Sequence, residues 1–360
     1  MPNYYTYDQR LMIKDAAELA NLKVLQLVHE NTAAATMFAI DQKLEHDKNL
    51  TVLFYNMGGM DTEVSVIRYS MLNQSAKKSS PHIEILAESA DPQLGSKDVE
   101  LVIVEILADR FNALPEREGK EDVRKNVRAI KRVFKEALKI KEILSANKAA
   151  SVKIPELLDY VTLKFELQRE ELENRLTDFL AKVTVPIDTA LERAGLTVED
   201  IDQVELLGGG IRNPKIVEIL EKHMKREAGV HLNGDEAMCF GSAFIATNSS
   251  SAFKVKQVYL TQNIPHDVWV KISPVDPKQA LTEEEQRAEG TEEDDIIKYW
   301  QDFKLFNTSD YLGKSKGLSL NYPVDLKFEL LKREENEAEG GLLLDSFQVT
   351  GVKSMIEQEV

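Results

Sequence analysis

Between Leu50 and Tyr69 the chain reads LTVLFYNMGGMDTEVSVIRY, two strand-forming runs joined by a turn with adjacent glycines. β-Branched and aromatic residues suit a pleated, half-buried surface, and a short glycine turn between two such runs makes a hairpin. Glycine also lets backbone amides come close to an anion. The turn Asn56-Met57-Gly58-Gly59-Met60 therefore reads as a phosphate-cradling hairpin, with two departures. Met60 stands where a third glycine would fit, and Asn56 where an acid would hold a metal.

Two further glycine elements give the hairpin its context. LLGGGIRNP, Leu206 to Pro214, is a strand, three glycines and a helix start, and helix N-termini are ready anion or nucleotide sites. QLGSKDVE, Gln93 to Glu100, again places glycine before a helix. Each alone is more often a tight turn; their order is what points to a nucleotide.

Around these elements the periodicity predicts an α/β body. Residues 7–20 read as an amphipathic helix with Leu11, Ala16, Leu19 and Ala20 inward, and Leu22–Val28 as a buried strand. A helix capped by Asn31 or Thr32 follows, then strands over 50–57, 63–70 and 83–87, and a helix over 99–113. Residues 121–147 carry a helical stripe at 123, 127, 130, 134, 137, 140 or 141, and 144, opposite a basic face. Residues 152–166 alternate like β structure. Helices over 168–183 and 187–195 lead to the strand Val204–Gly210, and a small-residue helix spans 235–250. After a linker at 249–257 the pattern becomes short alternating strands, beginning at VYLTQ and interrupted by the acidic run TEEEQRAEGTEEDD, 282–295.

With 360 residues, 43% of them hydrophobic, the chain can bury a core and form two or three domains. Its formal charge of −16 argues against nucleic acid as a partner. One cysteine, Cys239, excludes an internal disulfide and a four-cysteine metal site. No apolar run has the length of a membrane span, and the first residues lack the pattern of a signal peptide. Asn49, Asn73, Asn248 and Asn307 each begin an Asn-x-Ser/Thr sequon, a mild pointer to a secretory ancestry.

Taken together, LKVLQLVHENTAAA, FYNMGGMDT, LLGGGIRNPKIVEIL, NGDEAMCFGSAFIA and AFKVKQV resemble the actin-like ATPase region of the heat-shock protein 70 family, nearest its large endoplasmic-reticulum branch. The likeness covers residues 1–258 clearly and the β part more faintly. It implies an α/β actin-like (ribonuclease H-like) lobe II over 49–250, with a helical subdomain at about 96–176. A remnant of lobe I at 1–48 would precede it, and after a linker at 251–258 a partial, all-β peptide-binding sandwich at 259–360 would follow. Met1 resembles a point well inside lobe I, so the family's first phosphate hairpin and catalytic lysine are expected to be missing. The resemblance further implies ATP or ADP with Mg²⁺ as cofactor and unfolded polypeptides as clients. It also admits a second heat-shock protein 70 chaperone as a partner, and it places the protein in the reticulum lumen. Sugar kinases and actin-like filament proteins share the core fold. The AFKVKQV linker and the trailing β part set this chain apart from them.

By that resemblance Glu30 matches the acid that organises water and metal, and Gly58 and Gly59 the amides that hold phosphate. Asn56 replaces an aspartate, Asp61 a hydroxyl residue, and Glu63 keeps an acid one methylene longer. Gly208, Gly209 and Arg212 match the adenosine motif, from which Gly210 and Ile211 depart. Lys141 and Ser145 fall where the family contacts ribose and adenine, with Leu138 in place of a polar residue, and Asp235 matches an acid near adenine. Structural readings stand beside these. Glu30 suits a helix N-terminus, Lys141 a solvated face, and Asp235 an N-cap. His29 reads as structural, Cys239 as a buried small hydrophobe, and Trp269 and Trp300 as core. Arg212 has no obvious capping role and leans toward a ligand. A chain with half a cleft and an altered hairpin is expected not to hydrolyse ATP alone, so a binding or scaffolding module is the alternative function.

Overall fold

The computed structural model describes residues 1–360 apart from 42–47, 76–77, 251, 253–254, 256, 263, 265–266, 277–300, 308–309, 312–313, 319, 321–323, 334–339 and 353–360. The acidic run 282–295 and Trp300 thus lie outside the described residues. The chain divides into two compact units, Met1–Leu260 and Thr261–Val360.

Unit 1 is built on a five-stranded sheet in the order β6-β1-β2-β3-β7: Gln203–Leu207, Leu50–Met57, Thr62–Ser75, Lys78–Asp91 and Tyr259–Gln262. β1, β2 and β3 form an antiparallel meander, and β6 runs parallel to β1. The strict alternation of β1 sends its residues to two cores. Leu53, Tyr55 and Met57 join one cluster with α3 (Ser96–Asn112) and α4 (Val127–Ala146). Val52 and Phe54 join the other, with Phe38 and Tyr69. There α2 (Glu30–Asp41) lies against α9 (Ala237–Asn248) so closely that a Cβ on Gly241 would sit 1.8 Å from the carbonyl oxygen of Ala33. Phe38 meets Phe54 edge-on with ring centroids 5.6 Å apart, a favoured aromatic geometry.

On the other face, α4 begins where the Asn126 side chain accepts a hydrogen bond from the Ala129 amide. The β4–β5 ribbon (Ala149–Leu158, Val161–Gln168) follows. The short helices α5 (Arg169–Arg175) and α6 (Thr177–Leu180) come next, then α7 (Val185–Ala194) and α8 (Pro214–Met224). Among the described residues no helix is long and apolar enough to cross a membrane.

Several expectations need correction. Residues 22–28 form no strand, and Leu22 and Leu25 are 65% and 70% exposed. Their alternation is a local signal, whereas a strand needs a neighbour to pair with. α1 (Tyr7–Leu19) buries none of its residues, and Ala16 and Leu19 are exposed. α2 starts at Glu30, so Asn31 and Thr32 lie inside its first turn with buried side chains and do not cap it. In α4 the buried stripe is Ala129, Val133, Ala137, Ile140 and Leu144, while Val127 and Phe134 face solvent. Val123 sits in a separate 3-10 turn, and the break resets the helical phase that the spacing assumed. The helix expected over 168–183 breaks at Leu176. Cys239 is exposed rather than buried, because the face of α9 that packs on α2 is the one carrying Gly241 and Ile245. Tyr259–Gln262 completes the first sheet and does not open the β part.

Unit 2 is an antiparallel sheet in the order β11-β10-β8-β9: Leu342–Val349, Leu326–Lys332, Val268–Pro274 and Gln301–Phe306. Its small core is Val270, Ile272, Val324 and Leu326. Trp269 is half-buried, not core: its ring lies 4.7 Å from the Arg333 guanidinium and 5.7 Å from the Lys304 ammonium.

Candidate functional site

β1 and β6 run side by side and end together, β1 in the Gly58-Gly59 turn and β6 in the Gly208–Gly210 turn. Ligands of open α/β sheets bind outside such carboxyl ends. Gly208 has φ +83°, and a Cβ there would lie 2.2 Å from the Met57 carbonyl oxygen and 2.8 Å from Asn56 Oδ1. Gly95 is equally constrained, its Cβ position falling 2.4 Å from the Gly59 carbonyl oxygen. The glycines at 95 and 208 are therefore packing requirements that draw the hairpin turn, the β6 turn and the start of α3 into one place.

Beside that junction opens a cavity of about 390 Å³, within the size range of small-molecule sites. Its apolar walls are Val99 of α3, Leu144 of α4 and Leu172 of α5, and Lys141, Ser145, Gly209 and Arg212 also line it. Four residues singled out by sequence thus meet in one concavity, with Gly208 adjoining. Lys141 is ion-paired to Glu100 of α3. The Ser145 hydroxyl donates to the Glu142 carbonyl at 2.7 Å. Arg212 reaches Asp235 at 3.3 Å, both side chains being largely exposed, so Asp235 holds the arginine at the mouth. Leu138 is not part of the lining; it is exposed on α4.

Sequence reasoning missed Arg169 and the apolar walls. Arg169 donates to the carbonyls of Leu144 and Ser145, tying the end of α4 to α5 beside the cavity. Nothing in its local sequence marks it, and Val99, Leu144 and Leu172 carry the same periodic signal as any core residue.

The second group lies at the hairpin. Asn56 Nδ2 donates to Glu30 Oε2 at 3.4 Å, and Glu63 faces Asn56 directly across β1 and β2. Glu63 is 1% exposed; its Oε2 accepts from the Asn3 amide, while its Oε1 has no partner among the described residues. Burial first, then the neighbouring Glu30, Asp61 and Glu88, push its carboxyl up to about 8 against the single opposing amide. Asp61 accepts from the Tyr4 hydroxyl at 2.8 Å. Close by, His29 is buried between Glu88, at 2.8 Å, and Arg10, at 3.1 Å. It braces the N-terminal segment, since Arg10 also donates to the carbonyls of Asn3 and Tyr5.

Of the two amides expected for phosphate, that of Gly58 is already engaged. The Gly58 amide donates to the Asp61 carbonyl at 2.9 Å. At the start of α3 the Ser96 and Lys97 amides donate to the Gly58 and Gly59 carbonyls at 3.0 and 2.8 Å. The third glycine element therefore closes onto the hairpin and does not offer an anion site.

Comparison with known proteins gives the chain a family. The family model described as Hsp70 protein matches residues 1–288. Hypoxia up-regulated protein 1 of Xenopus tropicalis is 36% identical over 260 residues, covering 71% of this chain and 40% of that protein. The human protein of that name is 33% identical over 277 residues, covering 76% of this chain and 28% of its own length. The chain belongs to the Hsp70 family. Its first unit has that family's actin-like ATPase fold, and the second is a separate β module. It spans between about a quarter and two fifths of the length of the curated relatives it matches.

Members of the Hsp70 family bind ATP or ADP with Mg²⁺. The residues here fit the nucleoside part of such a ligand: an apolar slot, a glycine floor and a cation at the mouth. They do not fit the rest. Asn56 brings an amide where an anion would neutralise Mg²⁺. Among the described residues no three His, Cys, Asp or Glu side chains form a metal-binding group.

Proposed function

We propose that this chain is the nucleotide-sensing part of an Hsp70-family chaperone that assists protein folding, with unit 2 serving unfolded polypeptide clients. The observation that carries this is the meeting of Lys141, Ser145, Gly209 and Arg212 on one cavity at the ends of two parallel strands. In this reading Arg212 stacks on the base, Lys141 and Ser145 meet the ribose edge, and Asp235 positions Arg212. Calorimetric titration of the full chain with ADP tests it. Loss of the stacking cation in Arg212→Ala is expected to weaken binding roughly tenfold. No heat from a chain that remains folded, or equal affinity in the variant, would contradict the assignment.

A second reading, a binding or scaffolding module without turnover, is favoured by Asn56, Met60 and Asp61 at the turn. Without an anion to hold a neutralising metal there is no preorganised site for a transferring phosphoryl group. Phosphate release above a no-protein background, abolished by Glu30→Gln, would exclude it.

We place the protein in the reticulum lumen on the family resemblance and the sequons. Asn49 is exposed just before β1, whereas Asn248 uses both amide atoms on the Val258 backbone, at 2.9 and 3.2 Å. The sequons at Asn73 and Asn307 include side chains outside the described set. Secreted from eukaryotic cells behind an added signal sequence, the chain should carry an endoglycosidase-sensitive glycan that Asn49→Gln removes. A glycan mapped to Asn248 in folded protein would contradict the structure's ranking of the two.

A further inference from the structure

We infer that the chain associates with itself head to tail, the outer face of α1 in one copy docking on the outer face of α4 in the next. The inference is independent of the nucleotide reading, because it uses neither the cavity nor the hairpin.

Two helices of unit 1 present apolar stripes that no described residue covers. α1 buries none of its residues, and Met12 and Leu19 are 66% and 87% exposed. Two turns apart, they form one stripe, with the small Ala16 beside it. α4 buries Ala129, Val133, Ala137, Ile140 and Leu144, yet its opposite side shows Val127, Phe134 and Leu138 at 66%, 40% and 44% exposure. These three also stand in line at helical spacing. Exposed apolar patches of this kind mark interaction surfaces.

Charge names the occupant. Asp8 and Asp15 flank one side of the α1 stripe, and Lys14 stands nearly opposite it. Arg128, Lys131 and Lys135 flank one side of the α4 stripe. All five flanking residues are exposed, and none has an ion-pair partner among the described residues. The neighbouring Lys125 and Lys139, by contrast, are paired locally to Glu121 and Glu136.

The flanks also have the hand that a parallel pairing needs. At about 100° per residue, the acids precede the α1 stripe in rotation and the bases follow the α4 stripe. With the two helices running the same way, acid therefore meets base; running oppositely, it does not. One register serves every group. It seats Met12 between Val127 and Phe134, a favourable sulfur–aromatic contact. Leu19 then lies beside Leu138, Asp8 by Arg128 and Asp15 by Lys135, while Glu142 falls past the end of α1. Because the two patches differ, each copy keeps one of each unused, and the contact builds open chains and not a closed dimer. A single helix pair falls below the roughly 1,200 Å² of stable interfaces, so the association is weak and reversible.

Sedimentation of the full chain from micromolar to near-millimolar concentration tests this. The expected result is a weight-average mass that climbs past the dimer with concentration and falls back in high salt. Asp8→Lys with Asp15→Lys, and separately Lys131→Glu with Lys135→Glu, should each weaken association about tenfold, since each turns attraction into repulsion. Mixing the two variants should restore it, because each supplies the charge that the other lacks. Circular dichroism confirms that both remain folded. A chain that stays monomeric, or one that stops at a closed dimer, would overturn the inference. So would association that neither variant weakens, or a mixture that associates no better than its parts.

Discussion

Replacing Gly241 by alanine is expected to cost about 3 kcal/mol or more, because overpacking against an immovable neighbour exceeds the usual core penalty. The neighbour is backbone: the new Cβ would lie 1.8 Å from the Ala33 carbonyl oxygen and 2.5 Å from its carbon. α2 and α9 must then separate, and that unseats Ala33, Ala34, Phe38 and Ala237 from the shared core. The displaced α2 also carries Glu30 and Asn31, so the damage reaches the hairpin through the helix start. Thermal denaturation should show a fall of the order of 10 °C. Gly209→Ala is the matched comparison, since a Cβ there meets nothing within 4 Å and its φ is not positive. It should change stability by less than about 0.5 kcal/mol. Equal effects of the two substitutions would show that the helix crossing is not the constraint.

The second large effect is a pH dependence set by Glu63. Its carboxyl is pushed from an ordinary 4.5 to about 8 in the folded protein, chiefly by burial and then by the surrounding acids. The folded state therefore keeps a proton that the unfolded chain releases. Its contribution to stability is present in full below pH 4.5 and is lost as pH rises through about 8. Across that window the change is as much as about 4 kcal/mol, at roughly 1.4 kcal/mol per unit of displacement. Glutamine has the shape of the protonated acid, so Glu63→Gln should flatten this slope and exceed the parent in stability at pH 8. Urea unfolding at a series of pH values reads both. A variant with the same slope as the parent would assign the dependence to other groups.

Much of the nucleotide lobe was legible because its signals are local. The hairpin alternates β-branched and aromatic residues on both sides of Gly58-Gly59, and the β6 turn is announced by three glycines before Asn213-Pro214. Lys141, Ser145 and Arg212 were found through motif resemblance, and the structure brings them to one cavity. What failed was whatever depends on partners. Leu22–Val28 carries strand periodicity but pairs with no strand among the described residues. Tyr259–Gln262 looks like the strands after it, yet it adds to the first sheet. Gly95, a glycine before a helix, has the sequence signature of an anion cradle. Its actual constraint is the Gly59 carbonyl packed against it, a contact between residues 36 positions apart that no local pattern reports. Arg169 and the apolar walls were invisible for the same reason: a side chain lining a cavity and one filling a core look alike in sequence.

The most direct test is photo-cross-linking of the full chain with 8-azidoadenosine, followed by peptide mapping. An adduct confined to the cavity walls, within 96–99, 141–145, 169–173 or 209–213, and competed by unlabelled adenosine, is the predicted result. Labelling elsewhere in the chain, or labelling that adenosine does not displace, would contradict a nucleoside site at the ends of β1 and β6.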